Sequence, residues 1–177
     1  LSGNWNAAKI IMDHNQEAIE ASGAQILVTS CPICYKTFKE DYTLKLQIMH
    51  HTEYLDLLIE NGQLQVRSND LKTVFHNPCE LGRGCGVVEA PENVLKQVSR
   101  KIATAYDGKK SLCCGGSLAN TAIDSNQKTK ISTDTVKAYA AYQPDVIVTA
   151  CPLCKKTLMK TSQNIPVKDI AEVVADN

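Results

Sequence analysis

The sequence has no excess of charge of either sign: nineteen Lys and Arg balance nineteen Asp and Glu. A neutral chain without a basic stripe offers no electrostatic footprint for nucleic acid. No apolar run approaches the eighteen residues of a membrane-spanning helix. There is no signal-peptide pattern, and the first residue is Leu1 rather than Met, so the chain is expected to be processed or part of something longer. What remains is an ordinary soluble composition, 44% apolar and 21% charged over 177 residues, enough for one full domain with its own core.

The abnormal count is cysteine: eight, at positions 31, 34, 79, 85, 113, 114, 151 and 154. An even number raises the possibility of a secreted disulfide framework. Such frameworks serve small domains that cannot build a core, and this chain can build one. The cysteines also fall in pairs at metal-ligand spacing, which points to metal or redox chemistry in a reducing compartment, the cytoplasm.

Val28–Thr37 (VTSCPICYKT) returns 120 residues later as Val148–Thr157 (VTACPLCKKT), with seven of ten positions identical. Before the first copy, Ala8, Ile11, Met12, Ala18 and Ile19 share a helical face; before the second, Ile131 to Tyr142 reads as a helix stopped near Gln143-Pro144. Ile26-Leu27-Val28 and Val146-Ile147-Val148 read as buried strands, and a helix follows each copy. Alternating strands and helices predict an α/β fold, tandem domains with mainly parallel sheets flanked by helices. The period is too long for a solenoid and indicates a duplicated domain whose first copy is truncated. We expect residues 1–62 to be the rear half of a first copy and 71–177 a complete second copy, joined by the polar stretch from Asn61-Gly62 to Asn69-Asp70.

Each Cys-Pro-x-Cys follows a strand and opens a helix. A helix N-terminus favours the thiolate, and proline in the first turn loses no hydrogen bond there. Buried cysteines acting as small apolar residues would explain one such pair, but not two at equivalent places in a repeat. Cys113-Cys114-Gly115-Gly116 is expected at a strand end, where glycine allows close approach and free N–H groups can meet a thiolate or sulfide. Cys79 is expected at another strand end, in His76-Asn77-Pro78-Cys79-Glu80-Leu81-Gly82-Arg83. His76 is read as supporting the ligands rather than binding metal. Arg83 is read as pairing with an acid or offsetting thiolate charge, and Cys85 as an ordinary loop cysteine. Cys79, Cys113, Cys114, Cys151 and Cys154 thus make five thiols gathered at strand C-terminal ends. Five exceed a tetrahedral zinc site and suit a cluster of several irons.

This order of cysteines resembles the cysteine-rich (CCG) domain of the heterodisulfide reductase family, with related subunits in glycolate oxidase, lactate-utilisation proteins and anaerobic glycerol-3-phosphate dehydrogenase. The segment from His76 to Arg83 is similar to the family's His-Asp-Pro-Cys-x-Leu-Gly-Arg, departing at Asn77. The resemblance implies an iron–sulfur cofactor of [4Fe–4S] type on Cys79, Cys113, Cys114, Cys151 and Cys154, open to loss or replacement by zinc. It makes Cys31 and Cys34 the last two ligands of an earlier copy, with a Cys-Cys-Gly expected about seven residues upstream of Leu1. It also implies an oxidoreductase subunit, inactive alone, passing electrons between a flavin-bearing or other iron–sulfur partner and a disulfide, quinone or other acceptor. Membrane association would come only through partners. No individual catalytic residue is assigned. Two other readings stay open: a thiol–disulfide oxidoreductase using the Cys-Pro-x-Cys motifs, and a zinc-binding interaction module.

Overall fold

The computed structural model describes residues 3–116 and 122–177. The first unit runs α1 (Trp5–Ala21), β1 (Ile26–Thr29), α2 (Pro32–Glu40), β2 (Gln47–His50) and α3 (His51–Glu60). The second runs β3 (Lys72–His76), a π-turn (Glu80–Gly84), α4 (Glu89–Val98), β4 (Arg100–Lys101) and a 3-10 turn (Gly108–Lys110). It continues through α5 (Ser125–Ala140), β5 (Val146–Thr149), α6 (Pro152–Thr161), β6 (Val167–Asp169) and α7 (Ile170–Ala175). β1 and β2 pair in parallel; β4-β3-β5-β6 form a four-stranded sheet, also parallel throughout. The sequence repeat is therefore a structural one: β1-α2-β2-α3 recurs as β5-α6-β6-α7.

Helix starts are set by local chemistry. Asn4 accepts from the Ala7 N–H at the head of α1. Asp124 with Gln127, and Asp169 with Glu172, form reciprocal capping boxes on α5 and α7. Pro32 and Pro152 occupy the first turns of α2 and α6.

The four-stranded sheet is covered on both faces. Phe75, Val146 and Val148 point to one side, against Leu81, Val94, Leu95, Ile170 and Val173, with Leu55 and Ile59 of α3 closing that side. Val74 and Ile147 point to the other, against Val136, Tyr139 and Leu158. Two buried faces explain why β5 is apolar at every position but its last rather than alternating. Each such side chain contributes about 1.5–3 kcal/mol on leaving water. The first unit is covered less: no residue of α1 is buried, and Trp5, Ile10 and Ile11 stand exposed. Of the helical face expected there, Ala8, Met12 and Ile19 are half-buried, while Ile11 and Ala18 face solvent.

The units meet through α3 against α4. Polar ties add to this: Lys36 Nζ to Glu80 Oε1 at 3.1 Å, Asn93 Nδ2 to Asp56 Oδ2 at 3.1 Å, and His51 Nε2 to Asp169 Oδ1 at 3.2 Å. Among the described residues no helix is long and apolar enough to cross a membrane.

One expectation is corrected. Cys113-Cys114 do not end a strand; they lie in irregular chain after the 3-10 turn. The backbone there bonds to side chains instead of a ladder. Arg83 Nη1 donates to Ser111 O at 2.6 Å, and Thr135 Oγ1 donates to Cys113 O at 2.8 Å. Those bonds satisfy groups that would otherwise need a neighbouring strand.

Candidate metal centre

Three chain segments converge beyond the C-terminal ends of β3 and β5. β3 delivers His76-Asn77-Pro78-Cys79, β5 delivers Cys151 and the first turn of α6, and the braced loop delivers Cys113 and Cys114. Their sulfurs neighbour one another in the order Cys79, Cys113, Cys114, Cys154, Cys151, each close enough to influence the next one's protonation. Cys114, Cys151 and Cys154 are buried; Cys79 and Cys113 are half-buried.

The doublet's glycines have separate roles. The Gly115 N–H points to Cys113 Sγ at 3.3 Å and the Gly116 N–H to Cys114 Sγ at 3.4 Å. Gly115 holds φ +81°, and a Cβ there would stand 2.5 Å from the Lys128 carbonyl oxygen of α5. A Cβ on Gly116 would strike Thr157 of α6. Only glycine lets the loop lie this close to both helices.

The run of sulfurs has an alternating charge pattern. Cys113 is held well below the usual thiol range by donation from the Cys114 and Cys79 thiols, with the Gly115 N–H adding to this. Cys151 is lowered by the Cys154 thiol and then by the Cys154 and Leu153 N–H groups at the helix start, against the effect of burial. Cys79, Cys114 and Cys154 are raised: each is first of all a donor to a neighbouring sulfur, and burial adds to that.

His76 is fully buried with its ring edge-on to Tyr139; Nδ1 lies 3.1 Å from Tyr139 Oη. Burial pushes its pKa down to about 4, so the imidazole is neutral. A ring nitrogen of His76 and the sulfurs of Cys114 and Cys154 all lie within 4.8 Å of one another, and Nε2 has no protein partner. Of the two roles expected of Arg83, pairing with an acid is not seen among the described residues. It holds the cysteine loop by donating to Lys109 O, Ser111 O and Ser111 Oγ. Its charge also favours the Cys79 thiolate.

Cys31 and Cys34 occupy the matching helix start on α2, in contact with each other. They are not part of the five-sulfur run, but Cys34 lies within electrostatic reach of Cys151. Cys85 stands apart, its thiol 3.7 Å from Pro32 O, in a groove of about 760 Å³ lined by Tyr35, Lys39 and Glu53. Tyr139 and Thr135 are the members that sequence reasoning missed; both sit in an expected helix, and neither carries a spacing signal.

The donor set suits a soft-metal cluster: five sulfurs neighbouring one another in a run, with an orphaned imidazole nitrogen beside two of them. Fold and site together define a parallel α/β protein organised around a buried cysteine array. The chain belongs to the cysteine-rich domain family CCG, whose model matches residues 2–39 and 73–159. It is 32% identical over 183 residues to a dihydromethanophenazine:CoB–CoM heterodisulfide reductase subunit of Methanosarcina acetivorans, covering 96% of this chain and 45% of that protein. It is 27% identical to "EtfAB:quinone oxidoreductase" of Syntrophomonas wolfei, covering 97% and 27% of the two chains. Against "Probable iron-sulfur-binding oxidoreductase FadF" of Bacillus subtilis the identity is 25%, with 99% and 26% covered. The chain thus spans less than half the length of these curated relatives.

Proposed function

We propose that this chain is an iron–sulfur redox module of a heterodisulfide-reductase-like oxidoreductase. Cys79, Cys113, Cys114, Cys151 and Cys154 hold a [4Fe–4S]-type cluster, and electrons pass between a flavin-bearing partner and a disulfide, quinone or other acceptor. The observation that carries this reading is the convergence of five cysteine sulfurs into one run of neighbours. The relatives' names, which include a quinone oxidoreductase and a heterodisulfide reductase, support the redox class. When bound, such a cluster supplies one-electron carriage, and its potential is set by ligands, hydrogen bonds and burial.

The protein's own contribution is positional. The thiols give up their protons as metal enters, because the thiolate is the ligand. The Gly115 and Gly116 N–H groups steady the sulfurs of the doublet, and the surrounding apolar side chains keep water away. In this reading residues 71–177 are a complete copy and 1–62 the rear half of another, which contributes Cys31 and Cys34. The module works in the cytoplasm and does not turn over substrate alone.

Anaerobic purification followed by iron, sulfide and zinc analysis tests the proposal. Iron and sulfide in equal amounts are expected, and Cys114→Ser should abolish their uptake. Zinc without sulfide would favour the interaction-module reading, and normal iron in Cys114→Ser would overturn the ligand assignment.

A further inference from the structure

Tyr139 is fully buried, and the side-chain partner of its Oη is His76 Nδ1 at 3.1 Å. Burial raises the phenol's pKa, so its proton stays on oxygen and needs an acceptor. Nδ1 is the acceptor at hand. A phenol donating to Nδ1 leaves the neutral imidazole only one tautomer, with its proton on Nε2. Nε2 is also the ring nitrogen with no protein partner, on a side chain with no solvent exposure. A buried N–H without a partner is costly. A ring nitrogen of His76 lies within 4.8 Å of the sulfurs of Cys114 and Cys154, and with Nδ1 turned to Tyr139, Nε2 is the one left to meet them. The opposite tautomer would leave the phenol's proton without an acceptor and make His76 a metal ligand through Nε2.

We propose that His76 is a fixed Nε2–H donor to the sulfur array rather than a ligand, with Tyr139 the positioning residue that sets its tautomer. This rests on the cluster reading above. A donor aimed at a ligand sulfur stabilises the reduced, more negative state over the oxidised one, so His76 raises the reduction potential of the centre. Nearby features fit this role. The Tyr106 ring packs edge-on to Tyr139 at 6.0 Å, and the Tyr139–His76 pair lies between α5 and the end of β3, where neither ring is free to turn.

Two measurements test the proposal. In the reduced, metal-free chain, two-bond ¹H–¹⁵N correlation NMR should show His76 as the Nε2–H tautomer, and Tyr139→Phe should shift it toward a mixture. In the iron-loaded chain, His76→Leu should keep the full iron and sulfide content. At a fixed potential its oxidised-to-reduced ratio should rise about tenfold, a midpoint lower by about 59 mV for one electron. His76→Gln, which retains an N–H donor, should recover part of that shift. An Nδ1–H tautomer in the metal-free chain, loss of iron in His76→Leu, or an unchanged midpoint would each overturn the proposal. A wild-type chain that takes up no iron and sulfide would instead overturn the cluster reading and this role with it.

Discussion

Gly115→Ala isolates what the Cys-Cys-Gly loop demands of the fold. Gly115 holds φ +81°, where a side chain costs about 1–2 kcal/mol. Its added Cβ would also stand 2.5 Å from the Lys128 carbonyl oxygen and 3.4 Å from Ile131 Cβ. The Lys128 oxygen belongs to the α5 backbone and cannot swing away as a side-chain tip would. Relieving that overlap costs about 1–3 kcal/mol more by analogy with overpacked cores. The total is about 2–5 kcal/mol. Gly62→Ala is the matched control: φ is +67°, but nothing lies within 4 Å, so only the backbone cost applies. Urea denaturation under anaerobic, reducing conditions compares the two at equal m-value. Gly115→Ala should be the less stable by about 1–3 kcal/mol, the steric part alone. Its Cys113 thiol should also alkylate with a higher apparent pKa, because the Gly115 N–H at 3.3 Å is displaced. Equal stability of the two variants would refute the claim that close packing on α5 dictates glycine here.

Burial pushes His50 down to about 3, and neighbouring His51 adds to this. Below about pH 6.5 the unfolded chain takes up a proton that the folded chain refuses until about pH 3. Stability therefore falls with pH across that window, by about 2 kcal/mol at pH 5 from this group. His50→Asn, which keeps a helix-capping side chain, should show a shallower loss between about pH 7 and 5 in urea titrations; an unchanged slope would show that His50 is not the source. Lys101 is 8% exposed and meets Asp107 Oδ2 at 2.7 Å but Glu92 Oε1 only at 3.8 Å. Asp107→Asn should cost about 3 kcal/mol, and Lys101→Met in that background should recover much of it, because an unpaired buried ammonium is worse than none. Thermal denaturation of the two variants decides between them.

The parallel α/β class, the repeat and the strands β1, β3 and β5 were readable in the sequence, while β2, β4 and β6 were not. Hydrophobic runs, proline and cap residues act over a few positions, and the fold obeys them at β1, β5, α2 and α6. The five cysteines announced themselves by type and spacing, because few side chains share their chemistry. The surroundings of those cysteines were not readable. The doublet looked like a strand end, yet Arg83 and Thr135, from two separate places in the chain, take up backbone bonds a ladder would have used. His76 meets Tyr139, 63 residues away, through one 3.1 Å contact. The sequence by itself determined which residues are candidates for the chemistry and the helix starts at which Cys31 and Cys151 stand. Tertiary structure alone decided the order in which the sulfurs neighbour one another, which carbonyls Arg83 holds and that His76 meets Tyr139. Those depend on distances between segments far apart in the chain, and no local pattern records them.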